Sequence, residues 1–150
     1  METKLSTVVQ GRKLISCAPN DRVVDVVKRL AAERVGAMVV VDGGKLVGIF
    51  TERDLLIRVV AAEKDPRELQ VRDVMTPNPA TATVGEEYYD ALEKMQRHHC
   101  RHLPVVQDGK PVGMVSLRDL LFIQIQDKDT EIRRLSEFFE YLPPDSGFGG

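Results

Sequence analysis

The chain has 150 residues, of which 43% are hydrophobic and 29% charged, and a formal net charge of −2. That length holds one ordinary domain or two small units sharing a core. The charge balance has no block of one sign, so neither a nucleic-acid nor an acidic-membrane surface is expected, and no apolar run approaches the roughly 20 residues of a membrane span.

The first residues, METKLSTVVQGRK, lack the apolar core of an export signal. Cys17 and Cys100 stand in no metal-like spacing. Both features suit a reducing, cytoplasmic setting. Taken in order, KLIS (13–16) can make a short strand. NDRVVDVVKRLAAERV then places Val23, Val26, Val27, Leu30 and Ala31 on one face of a helix, with Asn20 or Asp21 as its N-cap. AMVVVDGGKLVGIF has two β-branched runs around Asp-Gly-Gly, which predicts a hairpin. A helix follows from Thr51 to about Ala62.

DPRELQVRDVMTPNPA, with its prolines and charges, reads as a surface connection in which VRDVMT makes a turn of helix. PATA (79–82) is the next short strand. GEEYYDALEKMQRHH repeats the helical face through Tyr88, Ala91, Leu92 and Met95, and LPVVQDGKPVGMV is a second hairpin. A helix from Ser116 to about Gln126 follows. A separate tail helix is then predicted, capped by Asp129 or Thr130, with Ile132, Leu135, Phe139 and Leu142 on one face and Pro143-Pro144 as its stop. The tail 143–150 is expected to be disordered.

The two halves are copies. A shift of 65 residues aligns 15–57 with 80–122 without a gap, and VGIFTERDLL (47–56) falls on VGMVSLRDLL (112–121). Each copy reads β-α-β-β-α and is too small to bury its sheet alone, so the two must share a core. The expected division is repeat 1 at 5–62, a linker at 63–78, repeat 2 at 79–126 and a terminal helix at 127–142.

The ungapped pair of units, the DVMT linker and the Gly-apolar-apolar-Thr/Ser-x-x-Asp close of each unit resemble a tandem cystathionine-β-synthase (CBS) domain pair, a Bateman module. The resemblance covers about residues 5–126. It implies an α/β (α+β) fold of two CBS repeats related by a pseudo-twofold axis. It further implies clefts for adenine nucleotides or adenosyl compounds (AMP, ADP, ATP, NAD, S-adenosylmethionine), with AMP or ATP foremost, and pairing into a homodimer.

Residue chemistry points the same way. Thr51 and Ser116 open helices, where free N–H groups and the dipole favour phosphate. Asp54 and Asp119, three residues on, can accept both hydroxyls of a ribose diol. Gly48 and Gly113 allow backbone or ligand to approach closely. The plainer reading is a capping box in each copy. The two are compatible, because an empty site falls back on capping.

In the family each cleft is built across the repeats. The resemblance therefore completes the Thr51/Asp54 cleft with Pro79, Ala80, Cys100, Arg101, His102 and Pro104. It completes the Ser116/Asp119 cleft with Leu14, Ile15, Val35, Gly36, Ala37 and Val39, the last standing where the family commonly has proline. Arg53 and Arg118 could serve either cleft. On this assignment Arg101 and His102 favour phosphate in the first cleft.

HHCRH (98–102) is the one cluster of metal-ligand types, without a second cluster to complete a structural zinc site. Helix-end cations and a half-buried thiol account for it better. Cys17 reads as a small core residue, and Asp25 and Asp90 as solvated. No nucleophile–base set, G-x-S-x-G elbow or Walker loop is present. The expected function is a regulatory ligand-binding module, not an enzyme, with no obligatory cofactor, a protein partner, and no nucleic-acid or membrane partner. A structural homodimer with unoccupied clefts and a redox or metal sensor built on Cys100 are the rivals.

Overall fold

The computed structural model describes residues 3–140. Chain order gives α1 (Leu5–Val9), β1 (Ser16–Cys17), α2 (Val23–Glu33), β2 (Ala37–Asp42) and β3 (Lys45–Thr51). Then come α3 (Glu52–Asp54), which runs on as a π-helical stretch at Leu55–Val60, and α4 (Val71–Val74) with β4 (Thr76–Pro77). The second half holds β5 (Ala82–Thr83), α5 (Tyr88–His98), β6 (His102–Gln107), β7 (Lys110–Ser116) and α6 (Leu117–Glu140). The expected α+β pair of β-α-β-β-α repeats is therefore present.

One sheet has the order β1-β2-β3-β4 and the other β5-β6-β7. In both, the first strand runs parallel to the second and the hairpin is antiparallel. The hairpins match in detail: each carries an irregularity at the same place, Val40/Val41 and Val105/Val106. Gly43-Gly44 and Asp108-Gly109 turn them with positive φ at both central residues, which is why this turn selects Gly and Asp.

Each repeat has its own core. Val23, Val26, Leu30, Met38, Val40 and Phe50 are buried in the first, and Ala91, Met95, Leu103, Val105, Val115 and Leu120 in the second. The cores are completed by exchange. Helix α1 inserts Leu5, Val8 and Val9 into the second repeat's core, whereas α4 inserts Val71 and Val74 into the first. Burying such aliphatic side chains stabilises by about 1.5–3 kcal/mol each.

Matching backbone bonds hold the exchanged segments. Leu5 N donates to Glu86 O (2.9 Å) and Ser6 N to Val84 O (3.0 Å); Val71 N donates to Asp21 O (2.9 Å) and Arg72 N to Pro19 O (3.0 Å). The glycines on the last strands exist for this contact. A Cβ on Gly113 would lie 2.8 Å from Val9 Cβ, and one on Gly48 2.6 Å from Met75 Sδ. The close approach expected at these glycines is thus made by the protein's own segments.

Several local expectations need correction. The strands before the first helices sit at Ser16–Cys17 and Ala82–Thr83, toward the C-terminal end of KLIS and PATA. The N-cap of α2 is Arg22, whose side chain makes no capping bond and instead donates to Asp25 (3.2 Å); Asp21 accepts from Ala18 N at 2.9 Å. No break precedes a tail helix, since α6 runs through Asp127–Thr130 to Glu140. That stretch has no Gly or Pro, Thr130 Oγ1 returns its hydrogen bond to Gln126 O (3.0 Å), and Lys128 pairs with Glu131, so nothing interrupts the helix. Leu142, Pro143-Pro144, the tail 143–150 and the side chain of Phe139 lie outside the described residues.

Candidate functional site

The site is built where a hairpin ends and a helix begins. Thr51 is in extended conformation as the N-cap of α3. Its N–H and Oγ1 donate to Asp54 Oδ2 (3.0 and 3.2 Å), and Asp54 N donates back to Thr51 Oγ1 (3.3 Å). At the other helix start, Ser116 N donates to Asp119 Oδ2 and Asp119 N to Ser116 Oγ, both at 3.1 Å. Both copies therefore form reciprocal caps, the arrangement the sequence offered as its plainer reading.

The two aspartates differ in what else reaches them. Asp54 Oδ1 accepts from Thr76 Oγ1 (3.0 Å) and lies 3.6 Å from Arg58 Nε, with the side chain 7% exposed. Arg58 is itself fixed on Met75 O at 2.7 Å. Asp119 Oδ2 pairs with Arg12 at 2.9 Å, and the side chain is 31% exposed. No hydrogen bond from the described residues reaches Asp119 Oδ1. Burial pushes Asp119 up, but the hydrogen bonds from Ser116 and Arg12 outweigh it and hold the carboxyl below its ordinary value.

Among the other expected residues, Gly36 O accepts from Glu52 N (2.9 Å), and Ala37 pairs with Thr51 across the hairpin. Arg101 O accepts from Leu117 N (2.7 Å), and His102 pairs with Ser116. Each mid-unit loop is thus tied by its backbone to the helix start of its own repeat. His102 is drawn to both: burial lowers its pKa, the charges of Glu52 and Asp119 oppose this, and Arg101 adds to it. His102 thus feels an acidic group beside each helix start, Glu52 on one side and Asp119 on the other.

Ile15 and Val35 pack against the first core, and Ala80 and Cys100 against the second. Val39 and Pro104 are buried in equivalent strand positions, and Leu14 and Pro79 are half-buried. Arg53 and Arg118 are exposed on the first helical turns. Sequence reasoning missed Arg12, Glu52, Arg58 and Thr76. Thr76 and Arg12 lie 22 and 107 residues from the aspartates they bind, so no local pattern marks them.

The cysteines offer little chemistry. Burial, then the charge of Asp21, pushes the Cys17 thiol up to about 12 despite Arg29. Burial likewise raises Cys100, against hydrogen bonds from the backbone around His102. A thiol kept protonated is a poor nucleophile and metal ligand. Among the described residues no three His, Cys, Asp or Glu side chains are grouped to hold a metal, and no helix is long and apolar enough to cross a membrane.

The duplicated repeat has counterparts in known proteins. The family model described as CBS domain matches residues 8–61 and again 71–125. The chain belongs to the CBS domain family. A mitochondrial CBS domain-containing protein of Arabidopsis thaliana is 33% identical over 129 residues, covering 83% of this chain. The chain spans 63% of that relative's length. A protein with CBS domains from Burkholderia ambifaria superposes with a TM-score of 0.78 at 32% identity, covering 83% of this chain and 96% of the other. A CBS domain protein from Pyrobaculum aerophilum, solved in complex with AMP, superposes with a TM-score of 0.70 at 30% identity, covering 77% and 88%.

Proposed function

We propose that this CBS pair is a sensor of adenine nucleotides, a binding module and not an enzyme, which passes cleft occupancy to a protein partner. The observation that carries the reading is the AMP complex of the Pyrobaculum relative. The Ser116/Asp119 side is the better suited of the two clefts. It combines the N-terminus of a long helix, an aspartate that is 31% exposed and whose Oδ1 accepts no hydrogen bond among the described residues, and the neighbouring Leu14–Ile15 segment. In the other cleft the internal partners of Asp54 compete with ribose for the same oxygens.

The signalling unit is a homodimer in this reading. Leu56, Ile57 and Val60 are exposed on the first repeat's last helix, and Leu121, Phe122 and Ile125 stand exposed at the matching positions of α6. An exposed apolar triplet present in both copies is the kind of surface that a partner ordinarily covers. Sedimentation showing a dimer that Phe122→Glu dissociates is the expected result; a monomer at all concentrations removes this part.

The nucleotide reading is tested by identifying small molecules released on denaturing the purified protein, followed by calorimetry with AMP, ADP, ATP, NAD and S-adenosylmethionine. Saturable binding of at least one adenosine compound, lost in Asp119→Ala, is expected. Absence of binding by every compound leaves the structural homodimer as the better account.

A further inference from the structure

We infer that Arg12 is an exchangeable latch that makes the Ser116/Asp119 cleft selective for phosphorylated nucleosides. In the empty site the guanidinium holds the carboxylate, and in the occupied site the ribose diol takes the carboxylate and the freed guanidinium turns to the phosphate. The inference rests on the proposed nucleotide reading of this cleft and deepens it.

Three observations carry it. The first is the contact itself. Arg12 Nη1 lies 2.9 Å from Asp119 Oδ2, and no other hydrogen bond of its side chain is formed among the described residues. A guanidinium has five N–H donors, so most of its capacity faces outward. Its side chain is 47% exposed. Ion pairs this open to water contribute little, so a ligand can exchange with the pair readily. Asp54 cannot exchange in this way, because its partners Thr51, Thr76 and Arg58 enclose it.

The second observation is the anchoring of the backbone on both sides of Arg12. Val9 is buried against Gly113, Arg12 N donates to Val9 O (3.1 Å), and Ile15 O accepts from Val39 N (3.4 Å). The side chain can therefore swing while its Cα stays at the mouth of the cleft. The third is asymmetry. The equivalent stretch of the other exchanged segment offers Pro77 and Asn78, neither of them a cation. Arg12 thus belongs to one cleft alone.

The test is calorimetry with adenosine and AMP on the wild-type chain, Arg12→Gln and Arg12→Lys. Wild type is expected to prefer AMP by about tenfold or more, the range of a hydrogen bond to a charged group. Arg12→Gln is expected to lose most of that preference while its adenosine affinity holds or rises, since the competing cation is gone. Arg12→Lys, which keeps the charge, should retain part of the preference. An AMP-to-adenosine ratio unchanged in Arg12→Gln overturns the latch while leaving the nucleotide reading intact. Failure of wild type to bind AMP overturns the latch, and the nucleotide reading itself falls only if ADP, ATP, NAD and S-adenosylmethionine fail to bind as well. If Arg12→Gln does not fold, an AMP preference in Arg12→Lys equal to wild type at both low and high salt overturns the latch equally, because a lysine's point charge does not match a guanidinium on a phosphate.

Discussion

Removing the two matching carboxylates one at a time should expose how differently the repeats use them. Asp54→Ala deletes an N-cap partner, which costs about 1 kcal/mol. It also deprives Thr51 and Thr76 of a charged acceptor in a buried setting, which adds about 1.5–3 kcal/mol. The sum is about 3 kcal/mol. Asp119→Ala loses a comparable cap and an exposed ion pair with Arg12, about 1 kcal/mol together. For a chain of this size 1 kcal/mol shifts Tm by about 2–4 °C, so losses of about 9 °C and about 3 °C are expected. The assay is thermal and urea unfolding by circular dichroism, without ligand and at one protomer concentration, because self-association would otherwise shift both values. Equal losses in the two variants, or a larger loss in Asp119→Ala, would refute the assignment of Asp54 as a structural group.

Gly113→Ala should cost about 1–3 kcal/mol, since the new methyl meets Val9 Cβ at 2.8 Å, and limited proteolysis should then cut within 3–13 first. His102 has a folded pKa below its ordinary 6.5, mainly through burial. Stability is therefore full above 6.5 and falls as pH drops from there through the folded value; urea titrations between pH 5 and 8 should show this slope, and His102→Gln should flatten it. With its thiol near 12, Cys17 should resist iodoacetamide at pH 8 in the folded chain and react on unfolding, as peptide mapping would record.

Much of this was legible because the repeat states it twice. Identical letters at one shift gave both hairpins, both main helices and both caps, since each is a local pattern of turn residues or apolar spacing. Local pattern is also where legibility ended. Leu5–Val9 is five residues without a helical period of its own, and its reason to fold lies at Val84 and Glu86. The merger of the last two predicted helices followed from weak punctuation, because Asp and Thr at 127–130 can cap a helix but need not end one. For the site, the paired Thr/Ser and Asp residues were readable as chemistry. Their inequality was legible only through Arg101 and His102; Thr76 and Arg12 reach the aspartates only after the exchanged segments dock, and Arg58, four residues after Asp54, was passed over.

That exchange sets an order on synthesis. Helix α4 and strand β4 find their seats at Pro19, Asp21 and β3 already made, so the first repeat can finish as soon as residue 77 has left the ribosome. Helix α1 is made before everything it packs on, and must wait for Val84, Glu86 and Gly113. Closing that long loop comes last and is slow for entropic reasons. Until it closes, Leu5, Val8 and Val9 are bare and the second repeat lacks part of its core. A nascent chain of this protein therefore has a first half that can mature alone and a second half that can be completed only from its own beginning.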